Sequence, residues 1–255
     1  MSQRVPLVVV TGSMCDGRLF AAQTAALGSE IDLREGAADP GRDVRVHIPR
    51  GRSVDEMAER LLERAPRRFA VAGLSLGAIV ATKVVELAPE RVHGLGLMDT
   101  RLAAPSAEML EHRARIEREV RSGHFADVLA AGVPSLTNDP DAHGSLVMAM
   151  GRSLGPGVFL EQNAAIVSRQ DLRPVLDGLA IPTLVLTGAD DQVCPPDQHH
   201  DLATRPATAD LVVVDGAGHL SSIDRPDAVT DALTDWLDSC DTHPTWRESN
   251  EQQPA

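Results

Sequence analysis

The sequence predicts an α/β fold built on a mostly parallel, doubly wound sheet, interrupted by a helical insertion. Three observations carry that expectation. Short β-branched runs alternate with helix-like segments, which is the mark of a parallel sheet covered by helices on both faces. Those runs are apolar throughout, as expected of strands buried on both sides. A stretch from 101 to about 178 then breaks the alternation without a strand-like run of its own. The 255 residues allow one or two domains, and α/β folds often spend such a length on one. We expect one domain over 1–238, with 101–178 as a helical cap insertion and 239–255 as a polar, disordered tail.

Leu7 to Val10 reads as the first buried strand and ends at Thr11-Gly12. A helix is expected from Gly17 to about Leu27, then an extended polar loop running to Asp43. Val44 to Pro49 reads as a short strand. Ser53-x-x-Glu56 is a capping box that opens a helix reaching about Ala65. Phe69 to Ala72 is apolar and runs into Gly73-Leu74-Ser75-Leu76-Gly77, followed by a helix from about Leu76 to Leu87 that Pro89 closes. Val92 to Met98 is another parallel strand, ending at Asp99-Thr100. After the insertion the alternation resumes with strands at Thr183 to Thr187 and Leu211 to Val214. Helices are expected from Pro195 to about Thr204 and from Pro226 to about Leu237.

Composition removes several functions. The chain carries 24 basic and 37 acidic residues, a net charge of −13, and no block of Lys or Arg that could form a phosphate-binding footprint. Aromatics are 2%, with no Tyr, so base-stacking platforms and Tyr-based catalysis are excluded. Lys83 is the single lysine, and nothing around it suggests Schiff-base or phosphate chemistry. Cys15, Cys194 and Cys240 are far apart and form no C-x-x-C pair, which argues against a disulfide framework or zinc site and fits a reducing compartment. No signal-peptide pattern and no run of about 18 apolar residues is present. The expectation is a cytoplasmic protein without nucleic-acid or membrane partners, its oligomeric state left open, a homodimer included.

Gly73-Leu74-Ser75-Leu76-Gly77 carries the chemistry. As a bare pattern, G-x-S-x-G turns up in roughly one chain in ten of this length from Gly and Ser frequencies. Its placement between a strand and a helix is far more specific, because there the sharp turn presents the serine hydroxyl. The bland alternative is a glycine-rich turn with an incidental serine. A serine hydroxyl is a weak nucleophile at neutral pH and needs a base, and the base needs a carboxylate to set its tautomer. On such a sheet the partners follow in the order Ser, acid, His at the ends of later strands. The strand ending in Gly188-Ala189-Asp190-Asp191 offers two acids, and the one ending in Asp215-Gly216-Ala217-Gly218-His219 offers the histidine.

With these motifs, and with Thr11-Gly12-Ser13-Met14-Cys15-Asp16 after the first strand, the chain resembles the α/β-hydrolase superfamily, particularly small bacterial serine hydrolases carrying a G-x-x-C-D stretch. The likeness extends from Val8 to Leu237. It implies the α/β-hydrolase type of sheet and a Ser75-Asp191-His219 triad, because the acid in such proteins sits three positions after the strand-end glycine; Asp190 is the fallback. It also implies an oxyanion hole from the backbone N–H groups of Leu76 and Ser13. The chain departs from the common pattern in having Thr11 where His usually precedes that glycine. The donor is a backbone amide, so the hole does not depend on that side chain.

Other candidates are weaker. Asp99 ends a strand and is either an alternative acid or a cap for the chain entering the insertion. Cys15 has no separate base and acid to activate it. His199 and His200 are neighbours on a helix, about 100° apart, and cannot chelate one ion; a solvated face is expected. Met109, Met148 and Met150 line an adaptable pocket or pack the insertion. Arg152, Arg169 and Arg173 are expected at the surface or paired with Asp, unless they point inward to read a carboxylate. No cofactor and no metal is implied. The expected activity is carboxylester-type hydrolysis of a small ester, thioester or lactone with an apolar acyl part. The same triad also serves C–C bond hydrolysis and lyase steps, and the fold also serves non-catalytic ligand binding. A haloalkane dehalogenase is disfavoured because that chemistry places Asp at the elbow.

Overall fold

The computed structural model describes residues 4–28 and 42–246. Six strands form one sheet: β1 (Leu7–Val10), β2 (Val44–His47), β3 (Phe69–Leu74), β4 (Val92–Met98), β5 (Thr183–Gly188) and β6 (Ala209–Val214). Every pairing is parallel, in the order β2-β1-β3-β4-β5-β6. β1, β3, β4 and β5 are buried at every residue, which is why their sequences are apolar without alternation. β2 and β6 lie at the edges and are half-exposed.

The helices are α1 (Ala21–Gly28), α2 (Val54–Leu62), α3 (Leu76–Leu87), α4 (Ala107–Arg121), α5 (Phe125–Leu136), α6 (Pro140–Ser168), α7 (Pro196–Ala203), α8 (Ser221–Asp224) and α9 (Pro226–Thr242). α2 packs with α3 on one face of the sheet and α1 with α9 on the other, giving two core layers. Ser53 caps α2 by accepting the N–H of Glu56 at 3.1 Å, while Glu56 reaches back to the N–H of Arg52, one residue earlier than the reciprocal box requires.

Between β4 and β5 the chain forms α4, α5 and α6, which pack on one another. α6 breaks at Gly155 (φ 79°), next to Pro156. A third apolar cluster joins Val120, Phe159, Ile116 and Phe125 of these helices to Met14 in the loop after β1. The insertion therefore stands over the carboxyl ends of the strands. The switch point between β1 and β3, where the connections run to opposite sides, lies there too, and open α/β sheets build their ligand crevice at that place.

The chain end corrects an expectation. α9 continues past Leu237 to Thr242, Cys240 is fully buried against Gly94, and Trp246 is 3% exposed and meets the edge of His93. Arg42, itself buried, pairs with Asp241 at 2.8 Å. The described fold thus includes 239–246, where five polar residues out of eight had concealed Cys240 and Trp246. The polar loop expected before β2, and the last residues of the expected tail, lie largely outside the described residues.

Candidate active site

Ser75 lies between β3 and α3 with φ 55° and ψ −113°, a conformation that L residues rarely adopt and that costs on the order of 1–3 kcal/mol. The flanking glycines make it possible. A Cβ on Gly73 would stand 2.2 Å from the carbonyl carbon of Gly77, and one on Gly77 would stand 2.0 Å from the Val10 oxygen. The turn is held by the Ser75 N–H donating to Met98 O at 2.9 Å and by the Thr100 hydroxyl donating to Ser75 O at 3.0 Å.

The hydroxyl of Ser75 is 3.0 Å from Nε2 of His219, and Nδ1 of His219 is 2.9 Å from Oδ2 of Asp191. The other oxygen of Asp191 accepts the N–H groups of Val193 and Cys194, each at 2.8 Å. Asp191 and His219 are both buried. Asp190 points away and accepts from the Asn138 side chain at 2.7 Å. Of the two acids the sequence offered, the structure brings Asp191 to the histidine. The histidine loop is itself anchored from the insertion: Leu220 donates to Leu136 O at 2.8 Å, and Asp224 accepts from Gly218 N at 2.8 Å, from Asn138 N at 3.0 Å and from the Thr137 hydroxyl.

Leu76 begins α3, so its N–H has no carbonyl of its own helix to reach. Neither that N–H nor the Ser13 N–H makes a hydrogen bond among the described residues, which leaves both donors available. The loop carrying Ser13 is bound by Gln162 of α6, a residue that no sequence motif marks. Its Oε1 accepts the Met14 N–H at 2.9 Å and the Ser13 hydroxyl at 3.2 Å, and its Nε2 donates to Pro49 O at 3.0 Å. Thr11, in place of the usual His, donates its hydroxyl to Cys15 O at 2.8 Å and closes the same loop from below.

Two buried neighbours depart from the sequence expectation. His199 is not on a solvated face. It is fully buried, and its Nε2 accepts the Thr100 N–H at 2.8 Å, with burial pulling its pKa down to about 4. His200, its neighbour, is exposed. Asp99 (φ 46°) is fully buried; it accepts from Gly188 N at 2.9 Å and from the Ser221 hydroxyl at 2.5 Å. It thus ties the ends of β4 and β5 to the start of α8, and burial holds its pKa well above the ordinary carboxylate value. A helix pattern cannot distinguish a solvated from a buried face when only one turn is polar, and that ambiguity hid His199.

Asp191, Cys194 and His219 place ligand-type atoms within 4.8 Å of one another. The chemistry does not suit a metal: burial pushes the Cys194 thiol up to about 12, whereas a metal-binding sulfur must be a thiolate, and Asp191 is spent on His219 and two N–H groups. Burial likewise raises Cys15 to about 12, so it is no second nucleophile. Met150 is fully buried and Met109 meets Arg169. Arg173 pairs with Asp171 at the surface and Arg152 is exposed, but Arg169 is 7% exposed and has no acidic partner among the described residues.

A model of the alpha/beta hydrolase family matches residues 19–232. Among curated proteins, the pimeloyl-[acyl-carrier protein] methyl ester esterase of Edwardsiella ictaluri is 29% identical over 199 residues, covering 73% of this chain and 76% of that protein. Among solved structures, a thermophilic esterase from Thermogutta terrifontis aligns with a TM-score of 0.79 at 25% identity, covering 95% of this chain and 92% of that one. The enol-lactonase of Burkholderia xenovorans LB400 aligns at 0.73 and 22% identity, covering 92% of each chain, and shows the fold alone.

Proposed function

The chain belongs to the alpha/beta hydrolase family, and from that premise we propose that it is a serine hydrolase acting on a small ester, thioester or lactone through an acyl-enzyme. The observation that carries this reading is the unbroken line Ser75–His219–Asp191, with contacts of 3.0 and 2.9 Å. In it, Ser75 attacks the carbonyl carbon while His219 Nε2 takes the hydroxyl proton. Asp191 keeps the other ring proton on Nδ1 and stabilises the imidazolium that forms. The N–H groups of Leu76 and Ser13 receive the oxyanion, aligned before the reaction begins and so at no reorganisation cost. Collapse expels the alcohol or thiol with the proton from His219. Water activated by the same nitrogen then releases the acid. Hydrolysis in the family supports the reading, as do esterases among its relatives at 25–30% identity.

A fluorophosphonate probe tests it. Ser75 is expected to be labelled, with labelling abolished by Ser75→Ala and reduced about 10³-fold or more in rate by His219→Ala, as triad members act as a unit. Folded protein that takes up no label at Ser75 would overturn the assignment. A panel of p-nitrophenyl esters of rising acyl length, lactones and a β-diketone then separates ester from C–C cleavage.

A further inference from the structure

The inward stripe of α4 carries Met109, Arg113, Ile116 and Val120, spaced four, three and four residues apart and so on one helical face. Ile116 and Val120 pack in the cluster with Met14 and Phe159. Met109 Sδ lies 3.8 Å from the Arg169 guanidinium. The stripe therefore faces the space between the insertion and the loop after β1, and Arg113 lies within it. Arginines at the surface of this protein find carboxylates: Arg18 has Asp16, Arg50 has Glu161 and Arg121 has Glu117. Arg113 forms no hydrogen bond and no ion pair among the described residues, although it is partly buried.

Two further guanidinium groups converge on the same place and are held only by neutral acceptors. Arg101 donates to Gln198 Oε1 at 2.7 Å and to Val193 O at 3.1 Å. Arg169 donates to Ile166 O at 2.8 Å and to Ala103 O at 3.2 Å. Burial, with Arg113 and Arg101 as like-charged neighbours, lowers the Arg169 pKa to about 10. All three interact electrostatically with Cys194, whose sulfur is within 4.8 Å of the ligand atoms of Asp191 and His219. The two carboxylates beside Cys194, Asp191 and Asp99, are already engaged by His219, Ser221 and backbone N–H groups. Three guanidinium groups, none of them in an ion pair among the described residues, are costly to gather beside a reaction centre unless an anion arrives.

We propose that Arg113, with Arg101 and Arg169, forms a subsite that receives a carboxylate carried by the substrate at the end remote from the scissile bond. The proposal rests on the hydrolase reading above and adds a substrate class to it. A guanidinium fork matches a carboxylate bidentately, and the apolar residues Met14, Ile116, Val120 and Phe159 suit an aliphatic spacer. The substrate class is thus the half-ester, thioester or lactone of an aliphatic dicarboxylic acid. The protein's net charge of −13 repels anions at long range, so a preference for an anionic substrate reports these arginines and not the bulk field.

The test compares kcat/KM for the monomethyl esters of dicarboxylic acids from succinic to azelaic with the methyl esters of uncharged acids of equal length. The wild type is expected to prefer at least one half-ester by about 10- to 100-fold, chiefly through KM, the size of a charge-assisted hydrogen bond. Arg113→Met keeps the side-chain volume and loses no internal bond; it should erase that preference while leaving hydrolysis of the uncharged esters intact, and Arg113→Lys should restore part of it. A wild type with no preference for any half-ester overturns the proposal. Calorimetry with the free dicarboxylates on Ser75→Ala protein needs no turnover: binding that vanishes on adding Arg113→Met supports the subsite, and no binding at any chain length overturns it. Dicarboxylate binding without fluorophosphonate labelling of Ser75 would instead strike the hydrolase reading alone.

Discussion

The side-chain oxygen of Gln162, on the last helix of the insertion, accepts the backbone N–H of Met14 at 2.9 Å. That bond occupies the Met14 N–H, whereas the N–H of Ser13, one residue earlier, makes no hydrogen bond among the described residues. It also makes the insertion a support for the loop after β1, to which the proposed hydrolase reading assigns an oxyanion donor. Gln162→Leu keeps the volume but leaves the Met14 N–H and Pro49 O without their partner. Misplacing a donor by a fraction of an ångström to an ångström slows acylation by about 10- to 100-fold. The expected outcome is a fall of that size in kcat and in the fluorophosphonate labelling rate, with KM little changed. An unchanged labelling rate in a folded Gln162→Leu protein would separate Gln162 from the oxyanion loop.

His199 makes stability depend on pH. Its Nε2 accepts the Thr100 N–H, which requires the neutral ring; protonation would set a donor against a donor. Its folded pKa of about 4 lies below the unfolded value of about 6.5, so the unfolded chain binds the extra proton. The neutral ring's contribution is therefore complete above about pH 6.5 and is lost as pH falls toward 4, a change of roughly 3 kcal/mol. His47 and His93 are also held low by burial, so the difference between wild type and His199→Gln isolates this residue. The urea midpoints of the two proteins are expected to draw together between pH 6.5 and 4. Parallel midpoints across that range would contradict it.

The chain end contributes to stability beyond α9's expected boundary. Asp241 accepts the Val5 N–H at 2.7 Å and pairs with Arg42, which is 7% exposed. Cutting after Asp238 leaves a buried guanidinium unpaired, a change that costs about 3–5 kcal/mol, and removes Cys240 and Trp246 from the core. The truncated protein is expected to unfold at a markedly lower urea concentration, and Asp241→Asn to lie between it and the full chain. A truncated protein with the full-length midpoint would show that the pair carries no net stability.

Much of the fold could be read before the structure was known because the central strands are buried on both faces. A run such as Phe69 to Leu74, buried at every residue, has no polar alternation to confuse it, and Leu76–Leu87 and Val92–Met98 lie where expected. The turn at Ser75 was legible for a related reason. Gly73 and Gly77 stand where a Cβ would meet backbone at 2.2 and 2.0 Å, so the backbone contact itself dictates the residues. Gln162, His199 and Arg113 left no such mark. Each is an ordinary polar residue on a helix, and its importance comes from what faces it across the fold.

Local backbone and burial constraints are written in neighbouring residues, so the chain's order alone specified the parallel sheet, the strained serine between two glycines and the acid and histidine at later strand ends. Contacts between residues far apart in sequence were decided by packing. The choice of Asp191 over Asp190 depended on which way one carboxylate turned toward His219. The binding of Met14 by Gln162 spans 148 residues. The gathering of Arg101, Arg113 and Arg169 beside Cys194 required three separate elements to converge. Charge and hydrogen-bond complementarity act through space, and space is assembled only when the insertion folds down over the sheet.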